Sequence, residues 1–306
     1  MSKKLVVVTN ATGKQGSSVL NALLEHGGYL ARGLTRDTTS AASKAFTAKG
    51  AEMVQVSVTD KAGLAAAFQG AYAVFGYTIL RSADSESVQG KNMVDACLAN
   101  NVPLFIWSSL PSASDLAGQN AKFALLDHKG EVNTYLNTTG QAAVTLYMGV
   151  FSENLFNQRQ LVRVSPGKWE IQYPIAPAAM RQPFSYIGKD TGGVAVAIID
   201  HWSDASWREK LTENPIPMCS YKITGTDMAK ILSQTTGSTV TYERQEETVP
   251  EPLKTMWTMA VKYWNYDDPI PPKILVDLGV KFHTFEDFVR EEVAPFMEKS
   301  EAEDKA

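Results

Sequence analysis

The stretch Val8-Thr9-Asn10-Ala11-Thr12-Gly13-Lys14-Gln15-Gly16 closes the apolar run Leu5-Val6-Val7-Val8 and opens a segment of helical period. A buried strand, a glycine-bearing turn and a helix start, in that order, make the corner where a dinucleotide fold holds its pyrophosphate on helix N-terminal amides. The spacing is Asn10-x-x-Gly13-x-x-Gly16, so Asn10 stands where such a loop carries its first glycine. Asn is the other residue that tolerates a left-handed backbone, and the turn remains feasible. A glycine-rich loop alone is weak; the flanking strand and helix favour a nucleotide site over an ordinary tight turn.

Outward from this corner, β-branched runs alternate with helical periods. Strands are expected over 5–9, 29–35, 52–56, 71–76 and 103–107, with helices over 15–26, 40–48, 61–68 and 86–100 between them. The first helix shows one apolar face, Val19, Leu20, Leu23 and Leu24, and stops at Gly27-Gly28. A helix from Asn120 to residue 137 and a sixth strand over 142–147 complete the pattern. The fold expected is α/β: a Rossmann-type doubly wound parallel sheet over 1–154, with a smaller C-terminal α/β lobe over 155–299 forming a substrate or partner cleft. In that lobe Pro166, Pro174, Pro177 and Pro183 mark a loop-rich stretch, helices resume over 191–200, 226–235 and 250–263, and the polar tail 300–306 is expected to fray.

With 306 residues, 44% apolar and 20% charged, the chain buries a large core and is too balanced to be disordered. A net charge of -4 lacks the Lys and Arg surplus that gripping nucleic acid phosphates requires, so direct nucleic-acid binding is disfavoured. Cys97 and Cys219 have no neighbours at metal-ligand spacing, and neither a metal site nor a disulfide scaffold is expected. The short apolar run near Met1 fits neither a signal peptide nor a membrane span, which predicts a soluble, cytoplasmic protein.

About twenty residues past the loop, a free ribose 2′-hydroxyl wants an acid and a 2′-phosphate wants a cation. Arg36 follows the second strand, with Thr38, Thr39 and Ser40 as further donors, so NADP(H) is preferred to NAD(H). The competing reading leaves Arg36 solvated and gives the ribose to Asp37.

No Tyr-x-x-x-Lys, the pair that tunes a proton-donating phenol, occurs anywhere; Leu125 stands four residues before Lys129. Ser108 and Ser109 are expected just past the fifth strand, free to hydrogen-bond a substrate carbonyl. His26, His128, His201 and His283 read as structural or surface residues. Trp257, Tyr263, Trp264 and Tyr266 read as core in preference to a pocket lining, and Glu243–Glu247 as solvated surface.

These features, with Gly50-Ala-Glu-Met-Val-Gln55, Gly70-Ala-Tyr-Ala-Val-Phe75, Gln89-Gly-Lys-Asn92, Lys129-Gly-Glu-Val132, Phe151-Ser-Glu-Asn154, Asp190-Thr-Gly-Gly193 and the segment from Leu278 to Val289, resemble the NmrA-like family of atypical short-chain dehydrogenase/reductases over nearly the whole chain. The resemblance implies that Asn10, Ala11, Thr12, Gly13, Lys14, Gln15 and Gly16 hold the pyrophosphate and Arg36 the adenosine phosphate. Tyr77 and Thr78 would lie near the second ribose, Lys129 on the nicotinamide ribose, and Phe151, Ser152, Glu153 and Asn154 over the nicotinamide end. The chain departs from the family at Val56-Ser57, where Gly-Asp is common. Two functions stay open: an NADP(H)-binding, redox-sensing regulator of a protein partner, with entry to the nucleus compatible, or a reductase of a small carbonyl or conjugated substrate with Lys129 as catalytic residue. The resemblance leaves the substrate, the partner and the oligomeric state open.

Overall fold

Val6, Val7 and Val8 are wholly buried in the first strand, β1 (Lys4–Val8), and the rest of one sheet is assembled around it. The computed structural model describes residues 2–80, 82–118, 121–251 and 253–303. After β1 come α1 (Lys14–His26), β2 (Tyr29–Thr35), α2 (Ala41–Ala48), β3 (Glu52–Gln55), α3 (Lys61–Ala67), β4 (Ala71–Gly76), α4 (Glu86–Ala99), β5 (Leu104–Ser109), α5 (Ala113–Ala117), α6 (Ala124–Thr139) and β6 (Ala143–Met148). The chain continues through β7 (Val150–Phe151), α7 (Asn154–Asn157), β8 (Leu161–Ser165), β9 (Lys168–Pro174), β10 (Arg181–Ser185), α8 (Ile187–His201), α9 (Ala205–Glu213), β11 (Ile216–Met218) and β12 (Tyr221–Thr224). It ends with α10 (Gly225–Thr236), β13 (Thr239–Gln245), α11 (Leu253–Tyr263), α12 (Lys273–Asp277), α13 (Phe285–Phe288), a π-helical turn (Val289–Val293) and α14 (Ala294–Glu303).

Two compact units result. The first, Met1–Met148 with Ile187–Met218 and Lys273–Lys281, holds a seven-stranded sheet in the order β11-β6-β5-β4-β1-β2-β3, every pairing parallel. The order reverses between β1 and β4, which is the switch point where a doubly wound sheet opens a crevice at its carboxyl edge. Helices α3, α4 and α6 cover one face through Leu64, Met93, Val94, Cys97, Val132 and Leu136. Helices α4 and α6 run close because Gly90 has no side chain where Val132 packs. Helix α1 lies equally close to α8, since a Cβ on Gly192 would strike the backbone of Ser18, and the Gly192 amide donates to Ser18 Oγ at 3.0 Å.

The seventh strand is absent from the sequence expectation of six, and a single cut at residue 154 does not describe the division. Helix α8 and β11 return to the first unit because α1 and the edge of β6 still present surface to cover. Asn120, the expected start of the sixth helix, lies outside the described residues; the helix itself begins at Ala124.

The second unit comprises Gly149–Tyr186, Cys219–Pro272 and Phe282–Ala306. Its two three-stranded sheets run β12-β10-β7 and β13-β9-β8, around a core that includes Trp169, Ile171, Tyr173, Phe184, Trp257 and Phe288. The loop-rich reading of this region is corrected here. Pro166 occupies a hairpin turn, Pro174 is the last residue of β9, and Pro183 sits in β10 opposite Lys222 of β12, one residue before the pairing with β7 begins. Nor does the tail fray from residue 300. Helix α14 runs to Glu303, because Glu301 accepts from Arg163, from the Gly167 amide and from Trp169 Nε1; residues 304–306 lie outside the described residues.

Candidate functional site

Asn10 takes φ 47°, the left-handed conformation its position demands. Its Nδ2 donates to the Tyr77 carbonyl at 2.9 Å, and the Ala11 amide donates to Leu34 O at 2.8 Å, so the loop is stitched to the ends of β4 and β2. Gly16 cannot carry a side chain: its Cβ would lie 2.5 Å from Asn10 O and 2.8 Å from Ala11 Cα. Gly13 precedes α1 and offers no side-chain cap to its first turn. Lys14 and Thr12 are exposed, while Gln15 is buried and accepts from Ser108 Oγ at 2.7 Å.

Arg36 is exposed at the carboxyl end of β2, and its guanidinium takes no partner among the described residues. Asp37 is differently placed. Its Oδ1 accepts from the Thr39 amide at 2.8 Å and from Thr39 Oγ1 at 2.6 Å, and these bonds hold its carboxyl below the usual carboxylate range. Ser40 caps α2 by accepting from the Ser43 amide. The acid that could read a ribose is thereby engaged, and the cation that could read a phosphate is free. After β3, Ser57 Oγ lies 2.8 Å from Thr59 Oγ1, and Asp60 caps α3.

The opposite end of the site is a closed polar cluster. Lys129 Nζ donates to Thr78 Oγ1 and to Glu86 Oε1, each at 2.6 Å, and Thr78 Oγ1 donates to the same carboxylate oxygen at 2.6 Å. Glu86 is 4% exposed, and its Oε2 has no hydrogen-bond partner. Burial pulls the Lys129 ammonium below its ordinary pKa, and the charge of Glu86 opposes that shift. The geometry follows from α4 and α6 running side by side: Glu86 begins α4 behind the Ser85 cap, one turn before Gly90, and Lys129 precedes Val132 by three. Gln89 fixes the intervening loop, donating to Ile79 O and Asp84 O and accepting from the Ile79 amide. Sequence reading placed Glu86 only as a helix start and Gln89 only within a motif. An acid in the first turn of a helix was the available signal, and it is explained equally well by the helix dipole.

Ser108 and Ser109 lie inside β5, not beyond it, and are not free for a substrate. Their buried hydroxyls need partners, and they donate to Gln15 Oε1 and Asn133 Oδ1, each at 2.7 Å. Phe151, Ser152, Glu153 and Asn154 belong to the second unit. There Ser152 Oγ bonds Ser185 O at 3.2 Å and shares a 2.6 Å contact with the Tyr221 hydroxyl, while Glu153 is buried. Trp257 meets Tyr173 edge-on at 5.2 Å in the core, whereas Tyr263 is exposed. The histidines serve as contacts: His26 stacks on Tyr29, His201 bonds Ala197 O, and His283 packs on Tyr186. A cleft of about 820 Å³ beside β6, lined by Asn133, Tyr147, Trp202 and Arg208 among others, includes neither the loop residues nor Lys129. Among the described residues no helix is long and apolar enough to cross a membrane.

The model of the NmrA-like family matches residues 2–303. The NmrA-like family domain-containing oxidoreductase ptmS of Penicillium ochrochloron is 27% identical over 65% of this chain and 64% of its own length. The oxidoreductase cpsB of Aspergillus campestris, of the same description, is 32% identical over 54% of this chain and 52% of its own. The chain thus spans 52% to 64% of these relatives' lengths. NmrA, described as a negative transcriptional regulator and solved in complex with NADP, superposes with a TM-score of 0.81 at 19% identity over 98% of both chains. An NADPH-dependent quinone oxidoreductase of Escherichia coli, solved with NADPH, gives 0.71 at 21% identity over 93% of this chain and 98% of that one. At such identities the structural likeness establishes the fold.

Proposed function

The chain belongs to the NmrA-like family, and from that membership we propose that it binds a nicotinamide dinucleotide, NADP(H) in preference to NAD(H), and acts as a redox-sensing regulator of a protein partner. One observation carries the reading: a left-handed Asn10 and an uncapped α1 lie within one sheet edge of an unpaired Arg36. The residues fit such a group. Backbone amides at 13–16 suit a diphosphate, the loop tolerates no Cβ at Gly16, and the Arg36 fork suits a 2′-phosphate. A nicotinamide, when bound, supplies hydride transfer. The chain's own residues orient it: Asn10–Gly16 hold the diphosphate, Arg36 selects the phosphorylated adenosine, and Lys129 with Thr78 meets the nicotinamide ribose.

The sequence carries no Tyr-x-x-x-Lys, and the Lys129 ammonium is held by a carboxylate and a hydroxyl, which suits binding without turnover. A ligand whose oxidised and reduced forms bind two conformations unequally shifts their balance, and that suffices for regulation. The second unit then carries recognition of the partner, and a cytoplasmic protein with access to the nucleus goes with this role. A reductase reading is favoured by the relatives' description as oxidoreductases and by the lowered pKa of Lys129, which suits a proton donor.

Purified protein incubated with NADPH and a panel of aldehydes, ketones and enones, followed by absorbance of the reduced nicotinamide, separates the two. The regulator reading expects no turnover, and a partner contact that differs between NADP and NADPH; turnover of any panel member overturns it. Calorimetry without heat for any dinucleotide would remove both readings.

A further inference from the structure

The Tyr77 phenol lies inside the glycine loop. Its hydroxyl donates to Asn10 O at 2.9 Å, and the Gly16 N–H acts on the phenol oxygen. The room that Gly13 provides by lacking a side chain is occupied by this hydroxyl: a Cβ built on Gly13 would collide with it. Gly13, the middle position of the loop's spacing, is the one whose missing side chain lets a diphosphate approach the backbone, whereas a Cβ on Gly16 would meet the loop's own backbone at Asn10 and Ala11. The place at Gly13 is already filled from within the chain.

We propose that Tyr77 is a latch on the phosphate cradle: its hydroxyl holds the place of a diphosphate oxygen between Gly13 and Gly16, and a dinucleotide binds by displacing it. The inference rests on the reading that this loop takes a diphosphate. Several features suit a side chain that moves while its backbone stays. The Tyr77 amide donates to Thr9 Oγ1 at 3.2 Å and its carbonyl accepts from Asn10 Nδ2, so the main chain is fixed on both sides. The next residue, Thr78, is pinned by Glu86 and Lys129. Displacement therefore falls on the side-chain torsions of Tyr77 alone. The residue is not fully enclosed and keeps some solvent exposure. Burial pushes its pKa up to about 12, and the hydroxyl remains a neutral occupant of the loop at ordinary pH. An anion gains more than a neutral phenol from the amides and dipole at the start of α1, which gives a diphosphate the means to win the exchange.

The latch opposes diphosphates and ignores ligands without one. Calorimetric titration of the full chain and its Tyr77→Phe and Tyr77→Val variants, with NADP and with adenosine 2′-monophosphate, tests this. Removing the hydroxyl should tighten NADP binding about fivefold, the worth of one net hydrogen bond. Tyr77→Val should shift NADP in the same direction and serves if the Phe variant does not fold. Binding of adenosine 2′-monophosphate should be unchanged in both. Unchanged NADP affinity, or weaker binding because the phenol contacts the ligand, overturns the latch while leaving the diphosphate reading intact. Absence of NADP binding by the wild type and both variants overturns the reading and the latch together.

Discussion

The two cations of the candidate site live in opposite circumstances. Arg36 stands exposed without a partner among the described residues, whereas Lys129 is buried against Glu86 and Thr78. Around Arg36, hydrogen-bonding capacity is left over; around Lys129, the chain consumes nearly all of its own, down to the hydroxyls of Ser108 and Ser109. A ligand adds interactions at the first place and must compete with existing ones at the second. Affinity and cofactor choice should therefore be set at the adenosine end, and substitutions at the Lys129 end should act first on the folded state.

The largest effect should come from Lys129→Met. It leaves the buried Glu86 carboxylate uncompensated, with an expected loss of about 3–5 kcal/mol in urea or thermal unfolding. The double variant Glu86→Gln, Lys129→Met removes the stranded charge and should be less destabilised than the single one; equal destabilisation would show that the pair is not a unit. This bears directly on catalysis, because activity lost in a Lys129 variant counts as chemistry only if the protein is still folded. Next, Arg36→Ala should weaken NADPH by about 1.5–3 kcal/mol, the range for a charge-assisted hydrogen bond, and leave NADH unchanged. Equal loss for both coenzymes would erase the contrast between the two ends. Smallest is Asn10→Ala, which puts an ordinary residue at φ 47° and removes the tie to Tyr77 O. A loss of about 1–2 kcal/mol in stability is expected, with Asn10→Gly milder because glycine adopts this φ freely.

The same division separates what was legible in the sequence from what was not. Strands 29–35 and 71–76 were read to the residue, and the left-handed Asn10 was anticipated from its place in the loop, because local pattern and turn chemistry act over a few neighbours. Glu86 meeting Lys129 depends on two helices brought together through Gly90 and Val132, 42 residues apart in sequence, and no local pattern carries that. Strand β11 escaped notice for a related reason. Three residues are too few to show a strand's alternation, and β11 is the sheet's edge, where Pro217 can lie without disrupting a central ladder. Strand β13 was obscured by its charges. Thr239, Thr241 and Glu243 point outward while Val240 and Tyr242 turn toward the core, and charge on an edge strand guards it against stray pairing.

The side-chain-free contact at Gly192 limits how this protein can be taken apart. Helix α8 reaches α1 only after the chain has passed through Gly149–Tyr186, so a fragment ending at residue 154 would contain the whole glycine loop and still lack the neighbour that presses on Ser18 and Ala22. Anyone wishing to transplant the first unit, or express it by itself, would have to carry Ile187–Met218 and Lys273–Lys281 along and bridge the gaps with designed linkers.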